Sequence, residues 1–195
     1  RGGNIPNLVQ AAVNCQKYGA DGITIHPRPD ERHIRRDDVY EIKKEITTEY
    51  NIEGYPSSAF IEMVLEVNPE QVTLVPDKPD VLTSCVGWDT VRHYIFLKEI
   101  ISIFQDKGIR TSLFVDPKTA IIEGAKRCGA DRIELYTEQY ATNYYIDRHK
   151  AICPYLDAAQ IADELDLGIN AGHDLNLDNL EFFSKEIPRL EEVSI

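Results

Sequence analysis

An amphipathic stretch of helical length that stops at a glycine and runs into a short apolar strand recurs along this chain. That unit limits the folds open to it more than any other feature. "NLVQAAVNCQKYGADGITIH" carries apolar residues at helical spacing from Leu8 to Cys15, then Gly19, then the run Ile23 to Ile25. "AIIEGAKRCGADRIELYT" repeats the pattern from Ala120 to Thr137, with the same Gly-Ala-Asp at the joint. A glycine just past a helix suits the left-handed cap, and the apolar run after it reads as a fully buried strand. Less regular copies are "FIEMVLEVNPEQVTLVP", "FLKEIISIFQDKGIRTSLFVD" and "AAQIADELDLGINAGHD". The pattern predicts strands near 22–26, 51–54, 71–76, 110–116, 131–137, 167–173 and 191–195, with helices between most of them.

Such alternation implies a parallel sheet with helices outside it, either an open doubly wound sheet or a closed (β/α)8 barrel. No G-x-G-x-x-G or G-x-x-x-x-G-K-[ST] follows a strand, so the usual signal of the nucleotide-binding open sheets is missing. Polar residues close nearly every strand, as a site ringed by strand ends requires. The expected fold class is therefore α/β, a (β/α)8 TIM barrel, with residues 1–195 as a single domain. Its first strand is expected before Arg1 and a closing helix after Ile195, as in a segment cut from a longer protein. The tyrosine-rich "TEQYATNYYIDRHKAICPY" reads as a loop whose rings pack locally or at a subunit contact.

A net charge of -12 argues against nucleic acid or an anionic membrane surface as the main partner. No apolar run approaches the roughly 20 residues of a membrane span. Cys15, Cys85, Cys128 and Cys153 are scattered without a C-x-x-C pair, the usage of reduced thiols in a cytoplasmic protein.

The strand ends hold the chemistry. His26, Glu53, Asp116, Glu134 and His173 stand there, with Arg28 and His33 on the loop beyond His26. One such residue alone reads as a helix cap or an ion-pair partner; five from separate strands point to a site. Glu53 in "NIEGY" and Glu134 in "RIELYT" put carboxylates inside buried strands, where an unpaired charge is costly. Each is either a structural ion-pair partner or an acid–base group. A metal is disfavoured, because Arg28 and Arg32 lie between His26 and His33, and a cation cluster attracts an anion instead. Phosphate fits better, and "NAGHD", closing the expected strand 167–173, offers backbone N–H groups at Gly172 and Asp174 to cradle it.

Together "GADGITIHPRPDERHI", "NIEGYPS", "VTLVPDKP", "RTSLFVD", "GADRIELYTE" and "INAGHDL" resemble the pyridoxine 5′-phosphate synthase family, in order and over essentially the whole chain. The resemblance implies a (β/α)8 barrel with extra helices, assembled as a homo-octamer in the cytoplasm. It implies condensation of 1-deoxy-D-xylulose 5-phosphate with 3-amino-2-oxopropyl phosphate to pyridoxine 5′-phosphate, phosphate and water, without metal or organic cofactor. The general acid–base residues fall on His26, Glu53 and His173, and Glu134 matches a carboxylate that stabilises charged intermediates. Contacts to the deoxyxylulose phosphate fall on Arg28, His33 and Thr83. Arg1 matches an arginine that holds the aminoketone phosphate, and Asp174 stands where some members have glycine, its backbone still able to serve that phosphate. A further Gly-His pair is expected after Ile195. The repeated proton transfers of such a reaction suit histidines, which titrate near neutrality.

Overall fold

The computed structural model describes residues 7–76 and 86–195. The chain forms two compact units, one of residues up to 76 with Phe104–Arg110, the other of 86–103 with Thr111–Ile195. The first holds α1 (Leu8–Lys17), β1 (Gly22–Ile25), α2 (Arg36–Glu45), β2 (Glu49–Gly54), α3 (Ser58–Val67) and β3 (Gln71–Leu74). Its strands are parallel in chain order, with Gly22 opposite Glu49 and Glu53 opposite Thr73. Side chains alternate across a strand. Ile23, Ile25, Tyr50, Ile52, Val72 and Leu74 are buried on one face. The other face is polar and satisfied internally: the Asn51 amide donates to Thr24 Oγ1 at 3.3 Å and accepts from Thr73 Oγ1 at 3.1 Å. Asn7 and Ser57 cap α1 and α3, accepting the N–H groups of Gln10 and Phe60.

In the second unit lie α4 (Tyr94–Gln105) up to Ile103, and β4 (Arg110–Val115) from Thr111 onward. Then come α5 (Thr119–Cys128), β5 (Arg132–Tyr136), α6 (Glu138–Glu164), β6 (Gly168–Gly172), α7 (Leu180–Glu186) and β7 (Leu190–Ser194). The strands β4 to β7 are again parallel in chain order, with an irregularity between Ile169 and Asn170 where β6 meets β7. Gly129 ends α5 with φ 90°, and Gly19, at the matching joint after α1, has φ 102°. The repeated Gly-Ala-Asp is thus a left-handed stop, as the sequence implies. Among the described residues seven strands alternate with seven helices in chain order, and the fold class is the (β/α)8 barrel.

One expectation fails. The tyrosine-rich segment is helical, lying within α6. Asp147 leaves helical geometry and its carboxylate accepts the Lys150 N–H at 3.1 Å, so a second helical run starts there. Two of the tyrosines do pack locally. The Tyr140 ring lies 4.9 Å from Phe183 and its hydroxyl donates to Asn179 O at 2.7 Å; Tyr155 donates to Tyr136 O at 2.8 Å.

Candidate active site

In the first unit one set of alternate positions along β1 continues Gly22, Thr24, His26, and the paired set along β2 runs Glu49, Asn51, Glu53. The alternation therefore sets His26 and Glu53 on the polar face, above the Thr24–Asn51–Thr73 bonds. His26 Nδ1 lies 3.9 Å from Glu53 Oε2, with side-chain exposures of 23% and 17%. That is ion-pair range and too long for a hydrogen bond. Burial, then Arg28, Arg32 and His33, lowers the His26 pKa to about 4. Its imidazole is therefore neutral near pH 7 and able to take a proton.

The loop after β1 explains its own acids. Asp30 pairs with Arg32 at 2.8 Å, the Glu31 carboxylate accepts the Arg36 N–H at 3.0 Å, and Asp38 accepts the Arg35 N–H at 2.8 Å. The acids thus shape the turn and cap α2, where negative charge is favoured, while the cations bear on His26. A cavity of about 210 Å³ opens there, lined by His26, Arg28, Tyr55, Ser57, Phe60 and Met63 among others. It is smaller than the roughly 300–1,000 Å³ of drug-sized pockets and suits a small ligand with an anionic group.

The second unit brings Glu134, His173 and Asp174 to the ends of β5 and β6. Glu134 is 3% exposed. A Cβ on Gly172 would come within 2.2 Å of Glu134 Oε1, so the bare backbone is what lets the carboxylate occupy that space. Beneath it, Arg132 donates to Asn170 Oδ1 at 3.1 Å and pairs with Glu191 at 2.5 Å and Glu192 at 3.3 Å. His173 follows β6 directly, its ring 4.9 Å from Tyr136 and nearly perpendicular to it. His173 Nδ1 lies 2.8 Å from Asp174 Oδ2. An ionised carboxylate only accepts, so this contact puts the proton on Nδ1 and leaves Nε2 as the acceptor of the neutral ring.

Of the residues expected from sequence, the fold pairs His26 with Glu53 in one unit and sets His173 beside Asp174 in the other. Arg28 lines the His26 cavity, and His33 lies on the same loop, exposed. Asp116, at the end of β4, is engaged by Lys118 at 3.1 Å. Arg1 and Thr83 lie outside the described residues. Sequence reasoning missed Tyr55 in the cavity wall, and Tyr136 and Thr137 around His173. The signal for the last two was their place in "RIELYT", two and three residues past Glu134.

Comparison with known proteins bears on this geometry. The family model described as "Pyridoxal phosphate biosynthesis protein PdxJ" matches residues 1–195. The pyridoxine 5′-phosphate synthase of Parabacteroides distasonis is 60% identical over 195 residues, which cover all of this chain and 82% of that protein. Those of Cytophaga hutchinsonii and Flavobacterium johnsoniae are each 58% identical with the same coverage. Among solved structures, monomeric forms of phosphoribosylanthranilate isomerase from Thermotoga maritima superpose with a TM-score of 0.63 at 16% identity, covering 95% of this chain and 81% of that one. At that identity the likeness shows the fold alone.

Proposed function

The chain belongs to the family of the pyridoxal phosphate biosynthesis protein PdxJ, and with that as premise we propose how its own residues divide the work. Its activity is pyridoxine 5′-phosphate synthesis: 1-deoxy-D-xylulose 5-phosphate and 3-amino-2-oxopropyl phosphate condense and close a ring, releasing phosphate and water. His26, Glu53 and His173 are the general acid–base groups. Glu134 offsets positive charge on the intermediates. Arg28, His33 and Thr83 hold the deoxyxylulose phosphate, and Arg1 with the Asp174 backbone holds the aminoketone phosphate. Arg1 and Thr83 enter on the family motif alone.

The observation that carries this assignment is the His26–Glu53 pair, 3.9 Å apart at adjacent strand ends beside a cationic loop. A neutral imidazole takes a proton as the amine adds to the ketone, and a carboxylate within reach accepts or returns one as water leaves. Burial lowers the His26 pKa most, and Arg28, Arg32 and His33 lower it further. A bound phosphate opposes the share of the shift due to the cations and so moves that pKa part of the way up, towards the range where proton shuttling is more effective. Substrate binding thus tunes the base.

The reading extends to a single barrel domain working as a homo-octamer in the cytoplasm. It needs no metal or organic cofactor, since the steps are addition of the amine to the ketone, carbon–carbon bond formation at ring closure, proton transfers and losses of water and phosphate, and none moves a hydride. The family likeness supports it. The test supplies both substrates to chelator-treated protein, follows pyridoxine 5′-phosphate by mass spectrometry, and measures the native mass. Folded protein that makes no product, or makes it only with added metal, overturns the reading.

A further inference from the structure

The loop bearing His173 has a backbone that L-residues rarely adopt. His173 has φ 83° and Asp174 φ 61°, two left-handed residues in succession, neither of them glycine. Such strain persists only where the surroundings over-determine it. Here the determinants are hydrogen bonds to the carbonyls of the turn. Thr137 Oγ1 donates to Gly172 O at 2.6 Å and to His173 O, the Thr137 N–H donates to Gly172 O at 3.0 Å, and Asn179 Nδ2 donates to Asp174 O at 3.1 Å. Three successive carbonyls are thus tied to the protein.

Thr137 precedes α6, where a threonine ordinarily accepts a helix N–H; here its side chain makes no cap bond. The residue is wholly buried, and its one hydroxyl proton is turned instead to the strand next door. Tyr136, its neighbour in sequence, sets its ring against the His173 imidazole at 4.9 Å. Two consecutive residues at the end of β5 therefore hold both the ring and the backbone of His173.

We propose that Thr137 is a positioning residue for the synthase reaction, its hydroxyl holding the left-handed His173–Asp174 turn and so fixing where the imidazole and the loop N–H groups point. This rests on the reading of His173 as an acid–base group and of the Asp174 backbone as a phosphate contact. Turning the carbonyls inward presents the N–H groups of the turn on the opposite side, the arrangement that binds anions.

The test compares Thr137→Val, which keeps the shape and loses the hydroxyl, with Thr137→Ser, which keeps the hydroxyl. The valine variant is expected to lose roughly 10- to 100-fold in kcat, the scale of a small misplacement at a reacting centre. Its KM for deoxyxylulose phosphate should hold, and serine should restore most of the turnover. In ¹⁵N-labelled protein the His173 and Asp174 N–H resonances should move in the valine variant and stay in the serine variant. Valine with normal kcat and unmoved resonances, or serine no better than valine, overturns the proposal. Should the valine chain fail to fold, Thr137→Ala against Thr137→Ser makes the same comparison. If unaltered protein made no pyridoxine 5′-phosphate, the synthase reading would fall, and the resonances would still judge the hydroxyl.

Discussion

At neutral pH the His26 imidazole is uncharged, and the causes can be separated by substitution. Burial is the largest, and Arg28 is the first of the charges. Arg28→Ala removes that cation, so the His26 pKa should rise from about 4 part of the way towards 6.5, as read from its ring proton shifts in an NMR titration. The same variant should bind deoxyxylulose phosphate roughly ten- to a hundredfold more weakly, since a charge-assisted bond contributes about 1.5–3 kcal/mol. Calorimetry finding unchanged affinity in folded protein would remove Arg28 from the binding site. Glu53→Gln keeps the shape and loses the proton acceptor. Both substrates should still bind while turnover drops roughly 10²–10⁴-fold, and wild-type turnover would take Glu53 out of the proton transfers. These residues were visible in the sequence because charge at the end of an apolar strand is conspicuous. Thr137 was not, because a threonine before a helix reads as an ordinary cap until the fold shows its hydroxyl facing another strand.

Among the elements, the strands differ from the sequence expectation in one respect. Short runs such as "GITI" and "QVTL" read as buried apolar strands, yet Thr24, Asn51 and Thr73 form a bonded polar layer among them. The alternation is hard to see in strands of four residues, two of which face each way. α6 was harder still. Its buried positions, Tyr140, Ile152, Tyr155, Ala158, Ala159 and Ala162, fall on two runs separated by the break at Asp147, and Pro154 lies inside the second. No single helical period spans it. The meeting of β5 and β6 offers a test at this scale. Gly172→Ala puts a Cβ within 2.2 Å of Glu134 Oε1. The atom met is the far end of a side chain, so the fold should absorb the change at about 1 kcal/mol. The carboxylate, however, has to move. Turnover should therefore fall by far more than the melting temperature implies, and a variant with normal kcat would show that the placement of Glu134 does not matter to the reaction.

For the molecule as a whole, the succession of strands and helices was legible because the helix-then-strand pattern recurs, with a stop-glycine at two of the joints, Gly19 and Gly129. The placement of chemistry at strand ends has a consequence for global stability. The folded state holds the His26 pKa at about 4, against 6.5 for the unperturbed group. Between those values the unfolded chain binds more protons than the folded one, so stability rises with pH across that window. The contribution is complete above pH 6.5 and is lost as pH falls towards 4. From pH 7 to pH 5 the loss from this one group is about 2 kcal/mol. The chain has 33 acidic residues besides, so the wild-type curve alone does not isolate it. His26→Asn does, because the variant keeps the other groups and lacks the titration. Urea unfolding at pH 7 and pH 5 should show the wild type losing about 2 kcal/mol more than the variant. Parallel losses would mean that His26 titrates normally in the folded protein. The base would then be charged through much of the acidic range, and the argument that phosphate binding tunes it would fail with it.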